Sequence, residues 1–582
     1  MRRRVQKLAK QVCYIVFTVT LGAVPGTLHA DTLPAAPDAV VGAVRESGLQ
    51  LFDWVLIGLY AALTIVIGWY FGRKQRSAVE YFVGSRNMNP LLIGVSLFAT
   101  LLSTITYLGK PGEVLGKGPV IMASLFGFPL VYLIVGYGLL PFYMKQRVTS
   151  AYELLEVKLG LGIRILAACM FILLRLFWMS LLVYLSAVAM TVMLGVDVKW
   201  IPLIVLVTGF VAIVYTSIGG LRAVVVTDLV QTLLLFGGAV MVIATVTFKM
   251  SGFGWFPTEW HANWDSQPMY SFDPRVRMTV AGSILMIATW YICTSGGDQT
   301  SVQRFMATRD AVAARRAFAM QLIVAAVVTT ILGLVGFALL GFFQANLELL
   351  PSGMNLKENA DKVFPYFIAY QLPVGVSGLV VSAMFAAAMS SIDSGVNSIT
   401  AVVTTDFLDR FGRRPKTERG HLLAAKFLAF TIGAVVVVGS SFIGHVPGNI
   451  MAVTYKTTNL LVGPIFGLFF YALILPFGRP AGAWVGTAVG IATAAVIAFS
   501  GPLVTLFDLQ FGIPARTFGV ELETTIDKFT GVSRLMAPDP VSFQWIGPIS
   551  LVANLATGTL VSWIMRRRAS AKSKVRGKPP SD

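Results

Sequence analysis

The sequence predicts an all-α polytopic membrane protein with about thirteen transmembrane helices. Charged residues make up only 13% of the 582 residues, and hydrophobic residues make up 56%. Apolar runs of spanning length also recur from the first residues to the last. An average soluble chain is about 25% charged, so this chain lacks the polar coating that a water-facing surface of its size needs. A helix of roughly 20 apolar residues crosses the hydrocarbon of a bilayer, and stretches of that length fill most of the sequence.

The N-terminus reads MRRRVQKLAK, then QVCYIVFTVTLGAV, then a small-residue exit ending Leu28-His29-Ala30. A basic region, a short apolar region and an Ala-terminated site have the form of a secretory signal peptide. The other reading is a first membrane helix, for which the apolar run is short. A signal peptide over 1–30, cleaved after Ala30, is the expectation. It would be followed by an extracytoplasmic tail over 31–51.

Spans then follow at 52–71, 87–110, 118–143, 161–194, 200–218, 223–248, 277–299, 313–343, 373–405, 421–443, 449–475, 481–500 and 546–565. An odd number of crossings puts the two ends on opposite sides. Lysine and arginine gather in cytoplasmic loops. One set of loops carries more than twice the Lys and Arg of the other, in blocks such as Arg73-Lys74-Gln75-Arg76 and Arg566-Arg567-Arg568. The reading is therefore N-terminus outside and C-terminus inside, as a signal peptide would deliver it. The segments are a first helix and loop (52–86), helices two to six (87–248), an external loop (249–276) and helices seven to eleven (277–475). Helices twelve and thirteen with an external loop at 501–545 fill 476–565, and a basic cytoplasmic tail closes the chain at 566–582. Such a chain is expected in the inner (plasma) membrane as a multi-pass protein, with the lipid bilayer as its partner.

The net charge of +18 is spread over short loop blocks. A nucleic-acid binder gathers it on one polar face, so no nucleic-acid partner is expected. Cys13, Cys169 and Cys293 all lie in apolar stretches, and His29, His261, His421 and His445 are scattered. No disulfide framework, thiolate metal cluster or catalytic constellation emerges, and the chain is not read as an enzyme.

Two spans carry residues that break helices. The second contains Ala99-Thr100-Leu101-Leu102-Ser103-Thr104-Ile105-Thr106, and the seventh contains Thr294-Ser295-Gly296-Gly297-Asp298-Gln299. Irregular backbone at membrane depth is tolerated where protein buries it or where it lines a cavity. These spans open two successive five-helix groups, 2–6 and 7–11, that enter from opposite sides. Matching breaks in inverted repeats point to a secondary transporter's central site; Ser/Thr-rich packing seams are the other reading. In the ninth span, helical spacing sets the Ser390 and Ser391 hydroxyls beside the Ala387 carbonyl. With carbonyls freed near Ala99 and Leu102, five uncharged oxygens would form a cage suited to a hard monovalent cation. The alternative is that the Ala/Ser pairs simply permit close helix packing.

At this point the residues resemble a known family. YTSIGGLRAVVVTDLVQ (215–231) and GDQTSVQRFMATRD (297–310) are similar to signatures of the sodium:solute symporter family. YFVGSR (81–86) and the Ser390-Ser391 pair also fit. The resemblance covers roughly residues 50–475. It implies thirteen helices with a leucine-transporter-type inverted repeat, and sodium-driven symport of a small organic solute by alternating access. It also implies that Na+ falls on the Ala99, Leu102 and Ala387 carbonyls and the Ser390 and Ser391 hydroxyls. Asp228 matches the family's acidic residue that helps release sodium toward the cytoplasm; complementing a helix start is its other reading. Some members use an extra hydroxyl at the position of Ala387 for a second sodium. Alanine here favours one Na+ per solute.

Two cations lie within spans, Arg175 in the fourth and Lys456 in the eleventh. A central charge costs about 2.5–3.5 kcal/mol even on the lenient insertion scale. Either they bind an anionic solute, such as a carboxylate or an acidic sugar, or they pair with Asp298, Asp393, Glu113 or backbone carbonyls. Ser103, Thr104, Thr106 and Gln299 are further candidate solute contacts at the breaks. Trp178 and Tyr184 read as core rather than as stacking platforms. Coupling to a proton in the same fold, or a transporter-like sensor, are the alternative functional readings.

Overall fold

The computed structural model describes residues 48–575 apart from 74, 76, 85, 147, 442–449 and 527–532. The signal peptide expected at 1–30, most of the 31–51 tail and the end of the basic tail lie outside the described residues.

Among the described residues, each apolar stretch falls on one or more helices. The helices are α1 (Leu51–Gly72), α2 (Ala78–Val83), α3 (Pro90–Leu101), α4 (Thr104–Lys117), α5 (Pro119–Lys145, with 3-10 and π turns), α6 (Glu153–Leu159) and α7 (Leu161–Leu194). They continue as α8 (Ile201–Lys249), α9 (Val280–Gly297), α10 (Gln299–Met306), α11 (Ala311–Ala345), α12 (Ala360–Tyr370), α13 (Val376–Val402) and α14 (Glu418–Ser440). The chain closes with α15 (Ile450–Asn459), α16 (Val462–Phe469), α17 (Pro480–Ala498), α18 (Ser500–Phe511) and α19 (Ile546–Val575). Eleven helices among the described residues are long and apolar enough to cross a membrane, or twelve if the bent pair α3–α4 is one span. One departure from the all-α expectation sits in the 501–545 loop. There β1 (Glu523–Ile526) pairs antiparallel with β2 (Ser533–Met536), with Glu523 opposite Met536. The β-branched run Thr524-Thr525-Ile526 favours the extended state.

The two helix breaks have local causes. Asn89 caps α3 by accepting from the Leu91 amide (2.9 Å), with Pro90 in the first turn. Leu102 (φ −78°, ψ 124°) and Ser103 (φ −117°, ψ 165°) are extended, and α4 leaves at 68° to α3. Ser103 then caps α4, its hydroxyl accepting from the Thr106 amide (3.3 Å). A serine hydroxyl competes well with the helical bond at such a position. At the second break, Gly296 and Gly297 precede Asp298 (φ −95°, ψ 123°), whose carboxylate accepts from the Thr300 amide (2.8 Å). Glycine is a poor helix former and aspartate a good cap, so α9 ends and α10 begins there.

The helix α8 runs for 49 residues, about 74 Å at 1.5 Å per residue, far more than one bilayer crossing. Gly220 inside it has φ 59° and ψ −175°, where two helices join. This is the boundary read between spans 200–218 and 223–248. A Cβ there would meet the Tyr81 carbonyl oxygen at 2.9 Å and the Tyr81 ring at 2.7 Å. Gly220→Ala is therefore expected to cost roughly 1–3 kcal/mol from backbone strain, plus the displacement of Tyr81. The check is a thermal unfolding midpoint lowered relative to Gly237→Ala, where no atom lies within 4 Å of the added carbon.

At the centre lies α13, every residue of which is buried. Its run of Ala383, Ala386, Ala387 and Ala388 lets α1, α3, α7, α8 and α14 pack against it, as small residues do between membrane helices. On the face predicted to be cytoplasmic, Glu156 on α6 pairs with Arg410 and Arg164, each at 2.7 Å. The hydrogen bonds from Arg410, then Arg164, hold its carboxyl down at about 2.

Candidate functional site

The break between α3 and α4 faces the middle of α13. The Ser390 hydroxyl donates to the carbonyls of Ala99 (2.8 Å) and Ala387 (3.1 Å). The Ser391 hydroxyl donates to those of Leu102 (3.1 Å) and Thr100 (3.2 Å). The five oxygens named from the sequence therefore lie together, and all five residues are buried. The Thr100 carbonyl joins them and was not anticipated. Because α3 stops at Leu101, the carbonyls of Ala99, Thr100 and Leu102 lie at a helix end, where intrahelical partners run out; that of Ala387 lies inside α13. A buried cluster of neutral carbonyl and hydroxyl oxygens fits a hard monovalent cation.

One turn further along α13 lies a second buried cluster. Asp228 on α8 accepts from the Ser96 hydroxyl (2.5 Å) and lies 3.6 Å from the Arg304 guanidinium. Arg304 on α10 is fully buried and also donates to Ser96 (2.8 Å), to the Thr300 carbonyl (3.1 Å) and to Ser394. Asp393 accepts from the Tyr215 hydroxyl and from the Ser394 amide (2.7 Å). The Thr100 and Ser394 hydroxyls, 2.9 Å apart, join this cluster to the oxygen cage. Arg304, Ser96 and Ser394 were missed in the sequence as site residues. Arg304 did stand within the 297–310 signature, and its place there was the available signal.

Beside the cage is a small cavity of about 20 Å³, with Arg175, Trp178, Trp290, Thr294, Asp298 and Thr458 among its walls. That is room for about one water, so a solute requires the walls to part. Arg175 pairs with Asp298, one of the two alternatives read from the sequence. Its Nε still has no partner, nor has the buried hydroxyl of Thr294. Trp178, read as core, is buried and yet forms part of this wall.

The other candidate solute contacts lie elsewhere. Ser103 caps α4, and Thr104 bonds the Met384 carbonyl (3.3 Å) and Ser186 (3.0 Å). Thr106 sits 3.4 Å from the Ser103 hydroxyl. Gln299 is committed to the Thr149 carbonyl (2.8 Å) and the Ala151 amide (2.7 Å). Lys456 is paired with Asp539 in the 501–545 loop. None of these five lines the cavity. Spacing along a helix cannot show which partner a polar group reaches across the bundle, and here backbone groups and Asp539 reach them first.

The four consecutive residues 99–102 tie the cage to the cavity. Ala99 and Leu102 turn carbonyls to the cage, while Thr100 and Leu101 between them line the cavity. Compared with known proteins, the chain is 28% identical to the sodium/sialic acid symporter SiaT of Proteus mirabilis (strain HI4320), over 76% of this chain and 90% of that one. It is 26% identical to the sodium-coupled monocarboxylate transporter 1 of Xenopus laevis, over 76% and 71% of the two chains. Its fold is that of a substrate-bound, outward-open Na+-coupled sialic acid symporter, with a TM-score of 0.68 and 23% identity over 88% of this chain and 98% of the other. The profile of the sodium:solute symporter family matches residues 81–490, and the chain, with its broken helices and the oxygens they expose, belongs to that family.

Proposed function

We propose that this sodium-coupled symporter takes up a small organic anion with one Na+, with the N-terminus outside and the C-terminus inside. The Ala99, Leu102 and Ala387 carbonyls and the Ser390 and Ser391 hydroxyls would hold the ion. Asp228, reached through Ser394 and Arg304, would draw it toward the cytoplasm. The sodium gradient supplies the driving force. Holding the cage oxygens in place fixes the 99–102 turn, which also shapes the solute cavity through Thr100 and Leu101. Ion and solute thus favour the same arrangement of one segment, and each raises the other's affinity by the same factor.

The observation that carries the solute class is that two residues lining one cavity, Arg175 and Thr294, each have a buried polar atom without a partner, the Nε and the hydroxyl. A buried donor without an acceptor costs about 1–3 kcal/mol, and a solute carboxylate would satisfy both groups. Relatives whose names specify sialic acid and monocarboxylates move molecules with that group. The Arg175–Asp298 pair is neutral as a unit, so a monoanionic solute would carry the transported negative charge that offsets the Na+ moved with it.

The charge count decides the test. A tenfold sodium gradient supplies about 1.4 kcal/mol, and 100 mV adds about 2.3 kcal/mol for each net charge moved. One Na+ with a monoanion moves no net charge and loses the voltage contribution. Uptake of monocarboxylates and sugar acids into proteoliposomes is expected to be sodium-dependent yet indifferent to an imposed potential. A current at a measured ratio of one Na+ per monoanion would overturn the scheme. Arg175→Gln is expected to raise KM roughly tenfold to a hundredfold, the worth of a hydrogen bond to a charged group at about 1.5–3 kcal/mol.

A further inference from the structure

A groove of about 580 Å³ runs along the bundle surface between α19 and the turn that joins α16 to α17. Its α19 wall is Leu555, Ala556, Thr559, Leu560 and Trp563, at helical spacing, and Phe477 forms the opposite wall. Leu560 is 54% exposed and Trp563 40% exposed, so the slot is apolar and faces the surroundings of the bundle. Its basic end is specific. The Arg566 guanidinium lies over the Phe477 ring at 5.8 Å, and that of Arg567 over the Trp563 ring at 3.8 Å. Both aromatic rings are walls of the groove, so the two cations lie at its end. Arg568 and Arg479 add charge at the same end, and neither 475–507 nor 543–568 contains an acidic residue.

An open apolar groove with guanidiniums lying over its wall aromatics matches a molecule with a hydrocarbon tail and an anionic head. Arginine binds phosphate by a planar, two-pronged hydrogen bond, and basic pockets at membrane helix ends recognise anionic headgroups. We propose that this groove binds an anionic glycerophospholipid of the leaflet at the C-terminal end of α19. The acyl chain would lie against Leu555, Leu560 and Trp563, and the phosphate between Arg566 and Arg567. The site is separate from the cage and the cavity, and the proposal does not depend on the solute.

The test uses the full-length purified protein, delipidated in detergent. Its thermal unfolding midpoint is followed as phosphatidylglycerol, phosphatidylcholine or inorganic phosphate is titrated in. Phosphatidylglycerol is expected to raise the midpoint, while the other two leave it unchanged. In Arg566→Gln/Arg567→Gln the apparent affinity for phosphatidylglycerol is expected to fall roughly 30-fold, equivalent to about 1 kcal/mol for each basic residue at a membrane surface. Arg73→Gln, whose guanidinium lies 4.5 Å from the Trp69 ring on α1, controls for cation–aromatic contacts elsewhere and should respond like wild type. Native mass spectrometry of wild type is expected to retain one phosphatidylglycerol that the double variant loses. Equal stabilisation by phosphatidylcholine or by inorganic phosphate would overturn the proposal, as would an undiminished phosphatidylglycerol effect in the double variant.

Discussion

Sodium-dependent uptake is expected to disappear when Ser390 and Ser391 are both replaced by alanine, while the protein remains folded. The two hydroxyls are two of the five cage oxygens, and they bridge α13 to the frayed end of α3. Hydrogen bonds to charged groups are worth about 1.5–3 kcal/mol each. Ion–dipole contacts of similar strength would put the joint loss near 3–6 kcal/mol, beyond a hundredfold in sodium affinity. The folded state loses less, because each serine gives up neutral hydrogen bonds worth about 0.5–1.5 kcal/mol net while the packing of α13 is unchanged by a residue as small as alanine. Size-exclusion behaviour and a sodium-free unfolding midpoint close to wild type would show that the bundle survives. Sodium titrations of uptake and of intrinsic tryptophan fluorescence measure the ion directly. A double variant with an unchanged half-saturating sodium concentration would remove the cage from the mechanism. Ser390→Thr, which keeps a hydroxyl, should retain part of the sodium response.

The second large effect concerns stability. Arg304→Gln is expected to lower stability by about 3–5 kcal/mol, the range for removing one partner of a buried ion pair. Arg304 is the cation 3.6 Å from Asp228, and its donors reach Ser96, Thr300 and Ser394 on three different segments. Without it, Asp228 keeps the Ser96 hydroxyl alone, in surroundings where its second oxygen already has no partner. Arg304→Lys should not restore the loss, since a point ammonium cannot replace a planar fork with several donors. Asp228→Asn combined with Arg304→Gln removes the stranded charge, so the double variant should unfold at a higher temperature than Arg304→Gln alone. A double variant no more stable than the single one would show that the pair carries little of this energy.

Much of the membrane architecture was legible because hydrocarbon imposes a local rule. A helix that crosses it must be apolar over a set length, and thirteen such stretches stand out without any tertiary information. The two breaks were legible for a similar reason, since Ser103, Gly296, Gly297 and Asp298 act on their own backbone. The oxygen cage was partly legible. Ser390, Ser391 and Ala387 share one turn of one helix, and the break in the second span offers the Ala99 and Leu102 carbonyls, but the alternative of plain helix packing stayed open on the sequence, and the structure shows the two groups meeting. The partners of isolated polar groups were not legible. Gln299 is read as a candidate solute contact and Lys456 as either a solute contact or half of an ion pair; in the structure Lys456 meets Asp539, 83 residues away and not among the partners named, and Gln299 meets the 149–151 backbone. Arg304 was overlooked because its role depends on Asp228 and Ser394, which lie on two other helices.

What the sequence determined by itself was therefore whatever local chemistry enforces: the helical class, the places where helices stop, and the residue types offered at those stops. The tertiary structure decided which of the offered groups meet. It put the α3 carbonyls against α13, Arg304 between two carboxylate-bearing helices, and the free nitrogen of Arg175 in a cavity wall. The physical reason is range. Propensity, capping and burial act within a turn or two of the chain, whereas a hydrogen bond or ion pair across the bundle is settled by helix packing. That packing depends on the shapes of all the helices at once.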